Sequence, residues 1–256
     1  MLFKDTVFIG IDPPSGEKSL TYAALDQELN LIALARNDIS TVSAFAGGQK
    51  SAFVAVNAPR RLNQGLMNKE SVRNSLSPQP NPGRWTSFRV AEYTLFQKNI
   101  RIPNTPGDLE SCPGWMRTGF TLYQRLEELG YHDFPAENHK QQLLEVYPHA
   151  AYTVLLKKVP FLKKTLVGRL QRQLILHSLS VDVPDPMRIF EEFTRYKILQ
   201  GQLPLEGLFS VEELEALIAA YIAWKAAVEP EEITRVGDPK EGEIILPGAD
   251  LKSKYY

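Results

Sequence analysis

The residues able to do chemistry in this 256-residue chain stand at the ends of short apolar runs. The stretch Val7–Gly16 reads VFIGIDPPSG. Val7, Phe8, Ile9 and Ile11 suit a strand buried on both faces, and Pro13, Pro14 and Gly16 then break the pattern. Asp12 is left at the strand's tip. A carboxylate is costly to bury unless something pairs with it, so Asp12 is a candidate metal ligand or catalytic group. The competing role is an Asx-turn in which it bonds turn amides. Phe53–Val56 is a second buried run, ending in Asn57-Ala58-Pro59. Glu145 falls between Leu144 and Val146 in LLEVY and faces away from both. Glu215 lies just inside a helix opened by a Ser210–Glu213 capping box, and the cap does not account for it.

Basic residues cluster as well. Lys157, Lys158, Lys163, Lys164, Arg169 and Arg172 fall in a stretch without acids between Val146 and Val181. That stretch suits a nucleic-acid backbone or a solvated amphipathic face. Arg60, Arg61, Arg84 and Trp85 could add phosphate contacts and a stacking platform, with Trp85 equally suited to packing on the core as a lid.

The elements that must position these groups follow from periodicity and punctuation. Ser19–Leu25 and Leu29–Ala35 read as strands that continue the first in an antiparallel meander, because the connections are too short for a crossover. Asp38–Phe45 reads as a short helix capped by Ser40. Phe53–Val56 follows it and so should lie parallel to the first strand. From Arg60 to Pro113 the chain is rich in Asn, Pro, Ser and Arg, which reads as a long irregular insertion with a helix over 88–98. Arg89 and Glu92 lie three apart on that helix. Helices are expected over 115–129, 168–179, about 185–200, and from Ser210. Pro148 should end the strand at Tyr147, and Gly237–Pro247 reads as a turn and a short strand.

Composition narrows the classes. The formal net charge is −1, so there is no overall basic surplus of the kind that marks non-specific nucleic-acid binding. One cysteine excludes an intrachain disulfide framework and a cysteine-rich zinc site. No secretory leader or transmembrane run is evident, so a soluble cytoplasmic protein, away from membranes, is expected. The length fits a single domain over 1–256 carrying the insertion at about 60–113.

A meander with an acid ending its first strand, then a helix, a parallel strand and further helices, resembles the ribonuclease H-like fold. That α/β fold has a mixed sheet, a three-strand antiparallel meander plus parallel strands, flanked by helices. The ends of its first and fourth strands lie side by side, and a C-terminal helix brings another acid. Two divalent cations about 4 Å apart can then activate water and stabilise the leaving oxygen.

The stretches GIDPPSG, VAVNAPRRL, RVAEYTLFQ, LLEVYPHAAY and EALIAAYIAW, with the tail VGDPKEGEIILPG, together resemble the family catalogued as domain of unknown function 429, predicted to be ribonuclease H-like nucleases. The resemblance implies metal ligation by Asp12, Glu145 and Glu215, the acids expected to do the catalysis. It implies magnesium or manganese as the cofactor. Asn57 stands where the family has Asp, and would be a neutral, weakened ligand. The expected function is metal-dependent phosphodiester hydrolysis on nucleic acid. A non-catalytic nucleic-acid or protein-binding module on the same fold is the alternative. A nucleotide-binding kinase or ATPase relative ranks third, since the Gly-rich loops it needs beyond GIDPPSG are missing.

Overall fold

A computed structural model describes residues 5–14, 19–77, 79–80 and 85–256. Ser15, Gly16 and Arg84, singled out above, lie outside the described residues. Eight strands form one mixed sheet: β1 (Val7–Asp12), β2 (Ser19–Leu25), β3 (Leu31–Asp38), β4 (Ala52–Val56), β5 (His132–Asp133), β6 (Gln141–Val146), β7 (Ile233–Asp238) and β8 (Gly242–Pro247). Their order is β3-β2-β1-β4-β6-β8-β7, with β5 paired to β6. β1, β2 and β3 are antiparallel neighbours, as the short connections require. β4 runs parallel to β1, β6 parallel to β4, and β8 parallel to β6. β7 and β8 are antiparallel, so Gly237 and Asp238 end the first arm of a hairpin and Gly242–Pro247 is the second.

The described helices are α1 (Ile39–Gly47), α2 (Glu70–Asn74), α3 (Val90–Gln97), α4 (Gly114–Glu128), α5 (Pro148–Leu156), α6 (Leu166–Ser178), α7 (Arg188–Glu192), α8 (Arg195–Leu199) and α9 (Val211–Val228). Three depart from expectation. The cap of α1 is Asp38, whose carboxylate accepts the Thr41 amide at 2.8 Å, and not Ser40. α5 begins at Pro148, because a proline that ends a strand is also pre-shaped for the first turn of a helix. The stretch 185–200 is two short helices broken at Phe193, whose ψ is 114°. Phe190, Tyr196, Ile198 and Leu199 there are exposed. A long helix lacks a core surface to hold it.

Helices cover both faces of the sheet. α1 and α4 close one face over Ile9, Ile11, Val54 and Val56. α9 closes the other, packing on Phe8, Ala23 and Ala55. It is buried nearly all round, which its apolar composition permits. Its alanines bring its backbone onto β1 at Gly10, where a Cβ would stand 2.0 Å from the Ala216 carbonyl oxygen. This close approach fixes Glu215 relative to Asp12. Among the described residues no helix is long and apolar enough to cross a membrane.

The 60–113 segment carries more order than its composition suggests. The Glu241 carboxylate, at the β7–β8 turn, is fully buried and accepts the Gln64 and Leu66 amides at 3.0 Å and the Val90 amide at 3.1 Å. One side chain therefore ties both ends of the segment's middle to the sheet edge.

Candidate functional site

The parallel strands β1, β4 and β6 end on one side of the sheet, and pleat phase decides which side chains meet there. Ile11, Val56 and Glu145 share one register row. Asp12 and Asn57 occupy the next row, the Asn57 amide donating to the Ile11 carbonyl at 2.9 Å. Side chains alternate faces along a strand. Ile11 and Val56 point towards α1 and α4, so Glu145 does too. Asp12 and Asn57 point the other way, towards α9.

Glu215 reaches Asp12 and Asn57 from the first turns of α9. The Asn57 side-chain amide donates to Asp12 Oδ1 at 2.7 Å and to Glu215 Oε2 at 3.4 Å. Lys163, from the α5–α6 connection, places its ammonium 2.6 Å from Glu215 Oε1. Three of the expected ligands thus converge, with one lysine of the basic stretch beside them. Both carboxylates are buried, Asp12 to 6 % exposure and Glu215 to 5 %. Burial, followed by the Glu215 charge, pushes the Asp12 carboxyl well above the usual carboxylate range.

Glu145 is engaged elsewhere. Its oxygens receive the Arg89 guanidinium at 2.5 and 3.0 Å and the Arg60 amide at 2.8 Å. Arg89 is fully buried and also bonds Glu92 at 2.9 Å and the Glu241 carbonyl at 2.7 Å. Arg60 pairs with Asp133 at 2.6 Å and with Glu127, and covers the Tyr123 ring. Arg61 pairs with Asp133 at 2.9 Å. Trp85 is half-buried against Phe88, Tyr93 and Phe96. Lys157, Lys158 and Lys164 are exposed.

A cavity of about 480 Å³ opens over Glu215 and Asn57. Lys163, Arg101 and Arg172 supply its other charged walls, and His149 and Tyr147 its other titratable ones. Burial, then the Arg172 and Lys163 charges, lower His149 to about 4, so it is neutral at physiological pH. The Arg172 guanidinium is almost fully buried, donates to the Phe161 and Gly168 carbonyls at 2.9 and 2.8 Å, and lies over the Tyr152 ring. Arg172 belonged to the recognisable basic stretch, whereas nothing in the sequence distinguished Arg101.

A hard divalent cation wants oxygen donors, and Asp12, Glu215 and the Asn57 amide oxygen, once that amide is turned, supply three. Among the described residues no group of three or more His, Cys, Asp or Glu side chains is arranged to hold a metal. The fit therefore depends on the amide. It is favoured by two buried carboxylates whose mutual repulsion a cation would relieve, and Lys163 already sets a positive charge there. The donors suit one cation, since Glu145 faces the opposite layer.

A comparison with curated proteins found no match, and neither did one with solved structures. A family model described as protein of unknown function (DUF429) matches residues 4–241, and the chain belongs to that family.

Proposed function

We propose that this protein is a metal-dependent phosphodiesterase acting on nucleic acid, on a ribonuclease H-like sheet. The order β3-β2-β1-β4-β6, a meander followed by parallel strands, supports that fold. One observation carries the chemistry. Asp12, Asn57 and Glu215, distant in sequence, meet through the Asn57 amide, and Asn57 and Glu215 line the floor of a cavity whose walls include Lys163, Arg101 and Arg172.

Asp12 and Glu215 would hold the cation, with Asn57 as a neutral third donor. A bound magnesium or manganese ion supplies Lewis-acid polarisation of a phosphoryl oxygen and a more acidic water. Arg101 and Arg172 bind and orient the phosphate. Lys163, 44 % exposed and paired with Glu215, would be the cation to turn to the same phosphate were its place at Glu215 taken. His149, neutral on the cavity wall, can accept a proton.

The Lys163–Glu215 pair favours a second reading, a binding module in which the lysine replaces the metal permanently. Thermal unfolding with and without millimolar magnesium or manganese separates the two. A cation at a hundredfold over its dissociation constant should add about 2.7 kcal/mol to wild type. Asp12→Ala should abolish that gain, together with manganese-dependent hydrolysis of a chromogenic phosphodiester. No shift and no hydrolysis in wild type would overturn the proposal in favour of the binding module.

A further inference from the structure

A second cavity, of about 390 Å³, adjoins the first and shares its Asn99 and Arg101 walls. Trp85, Tyr93, Phe96 and Lys254 line the rest that matters here. Both volumes fall in the range of about 300–1,000 Å³ typical of small-ligand sites. The first is floored by Glu215 and Asn57 and walled by cations, and the second is aromatic with cationic edges. Phe96 is 41 % exposed and sits 4.9 Å, centroid to centroid, from the Trp85 ring.

Arg101 stands at the junction on a fixed backbone. Its carbonyl accepts the Tyr147 hydroxyl at 2.9 Å, the Asn99 side chain donates to the Tyr255 carbonyl at 2.8 Å, and Ile100 between them is fully buried. The Arg101 side chain is exposed and has no carboxylate partner among the described residues. Arg172 likewise holds a buried positive charge against carbonyls and a ring, with no ion pair among the described residues. Alternating cationic and aromatic walls match a strand whose phosphates and unstacked bases are both accessible. In a duplex the bases are paired and stacked, and none can enter the aromatic cavity.

Building on the phosphodiesterase reading, we propose that the substrate is single-stranded nucleic acid. Its backbone crosses Arg101, with one nucleotide over Glu215 and a neighbouring base against Phe96 and Trp85. DNA and RNA share this chemistry.

The test is fluorescence anisotropy in chelator, so that nothing is cleaved, with labelled oligothymidylate, oligouridylate and a blunt duplex of equal length. Single strands should bind at least about 10-fold tighter than duplex, and the tighter of the two names the sugar. Arg101→Glu should weaken strand binding at least about 10-fold and reduce the salt slope by about 0.7 for the lost phosphate contact. Phe96→Ala should weaken it about 5- to 100-fold. Both side chains are exposed, and unchanged melting temperatures would show that the variants fold. Equal or tighter duplex binding, no binding of either strand, or Arg101→Glu without effect overturns the proposal. A metal shift without strand preference overturns this inference alone. Strand binding lost in both variants without any metal shift sustains it and overturns the phosphodiesterase.

Discussion

Gly10→Ala tests whether the packing of α9 on β1 sets the site. The new methyl carbon would stand 2.0 Å from the Ala216 carbonyl oxygen and 2.2 Å from the Ala220 nitrogen. Both are backbone atoms, so no side chain can swing aside. Restoring the 3.4 Å of ordinary contact requires helix and strand to part by about 1.4 Å. β1 is held on both edges by β2 and β4, so the helix must give. Overpacking of this kind costs about 1–3 kcal/mol, and a backbone clash belongs at or above the upper end. Glu215 directly precedes Ala216, and Asp12 lies two residues after Gly10, so the same opening separates the two carboxylates. Metal–ligand distances tolerate only about 0.2 Å. Urea unfolding followed by circular dichroism should therefore show a large loss of stability, and manganese should no longer raise the melting temperature. Gly114→Ala is the control, since nothing lies within 4 Å of its added Cβ. At the start of α4 it should be neutral or stabilising by up to about 1 kcal/mol. A Gly10→Ala loss below about 0.5 kcal/mol, the range of an ordinary surface change, would refute the packing argument. A full metal shift in a destabilised variant would refute the link to the site.

Three further outcomes are expected. In chelator, Asp12→Asn should be more stable than wild type at neutral pH. The raised folded-state pKa means that wild-type stability is lost as pH climbs from the usual 3.8 through that raised value, so the advantage should vanish towards pH 4, and equal stabilities at neutral pH would overturn this. Arg89→Met leaves the Glu145 and Glu92 carboxylates buried without their cation, and should cost about 3–5 kcal/mol in urea unfolding. His149, lowered from 6.5 to about 4, destabilises the fold as pH falls through that window, because the unfolded chain takes the proton first. The loss should reach about 3 kcal/mol at most, and His149→Asn should flatten the profile, whereas parallel profiles would refute the assignment.

The strands and the last helix were legible because their signals are local. VFIGID, SLTYAAL and AFVAV are apolar runs bounded by breakers, and Ser210 and Glu213 cap α9 reciprocally at 3.2 and 2.7 Å. The 60–113 segment was not legible as ordered, since its anchors come from far along the chain. Glu241 holds Gln64 across a separation of 177 residues, and no local pattern marks that. α7 and α8 show the reverse failure. Asp185 and Pro186, a cap residue followed by a first-turn proline, signal one helix, but only Ile189 is buried in either.

Pleat phase explains why the site was only partly legible. Asp12, Asn57 and Glu145 all stand at ends of neighbouring parallel strands, but which face each presents depends on register, and register is a tertiary property. Glu145 pairs with Val56, not with Asn57, so a one-residue offset sends it to the opposite layer. The spacing of Arg89 and Glu92 was the available clue, since the same guanidinium serves Glu92 and Glu145. Two acidic systems therefore share one strand end with different work to do. On the α9 face, Asp12 and Glu215 form a repulsive pair that the Asn57 amide and Lys163 offset and that a bound cation or protonation of Asp12 would relieve. On the other, Glu145 and Glu241 clamp Arg89 and the inserted segment to the sheet. Loss of activity on replacing Glu145 would therefore report folding as readily as chemistry. Removing a carboxylate from the α9 face relieves repulsion, so Asp12→Asn can separate function from stability by losing the first while gaining the second.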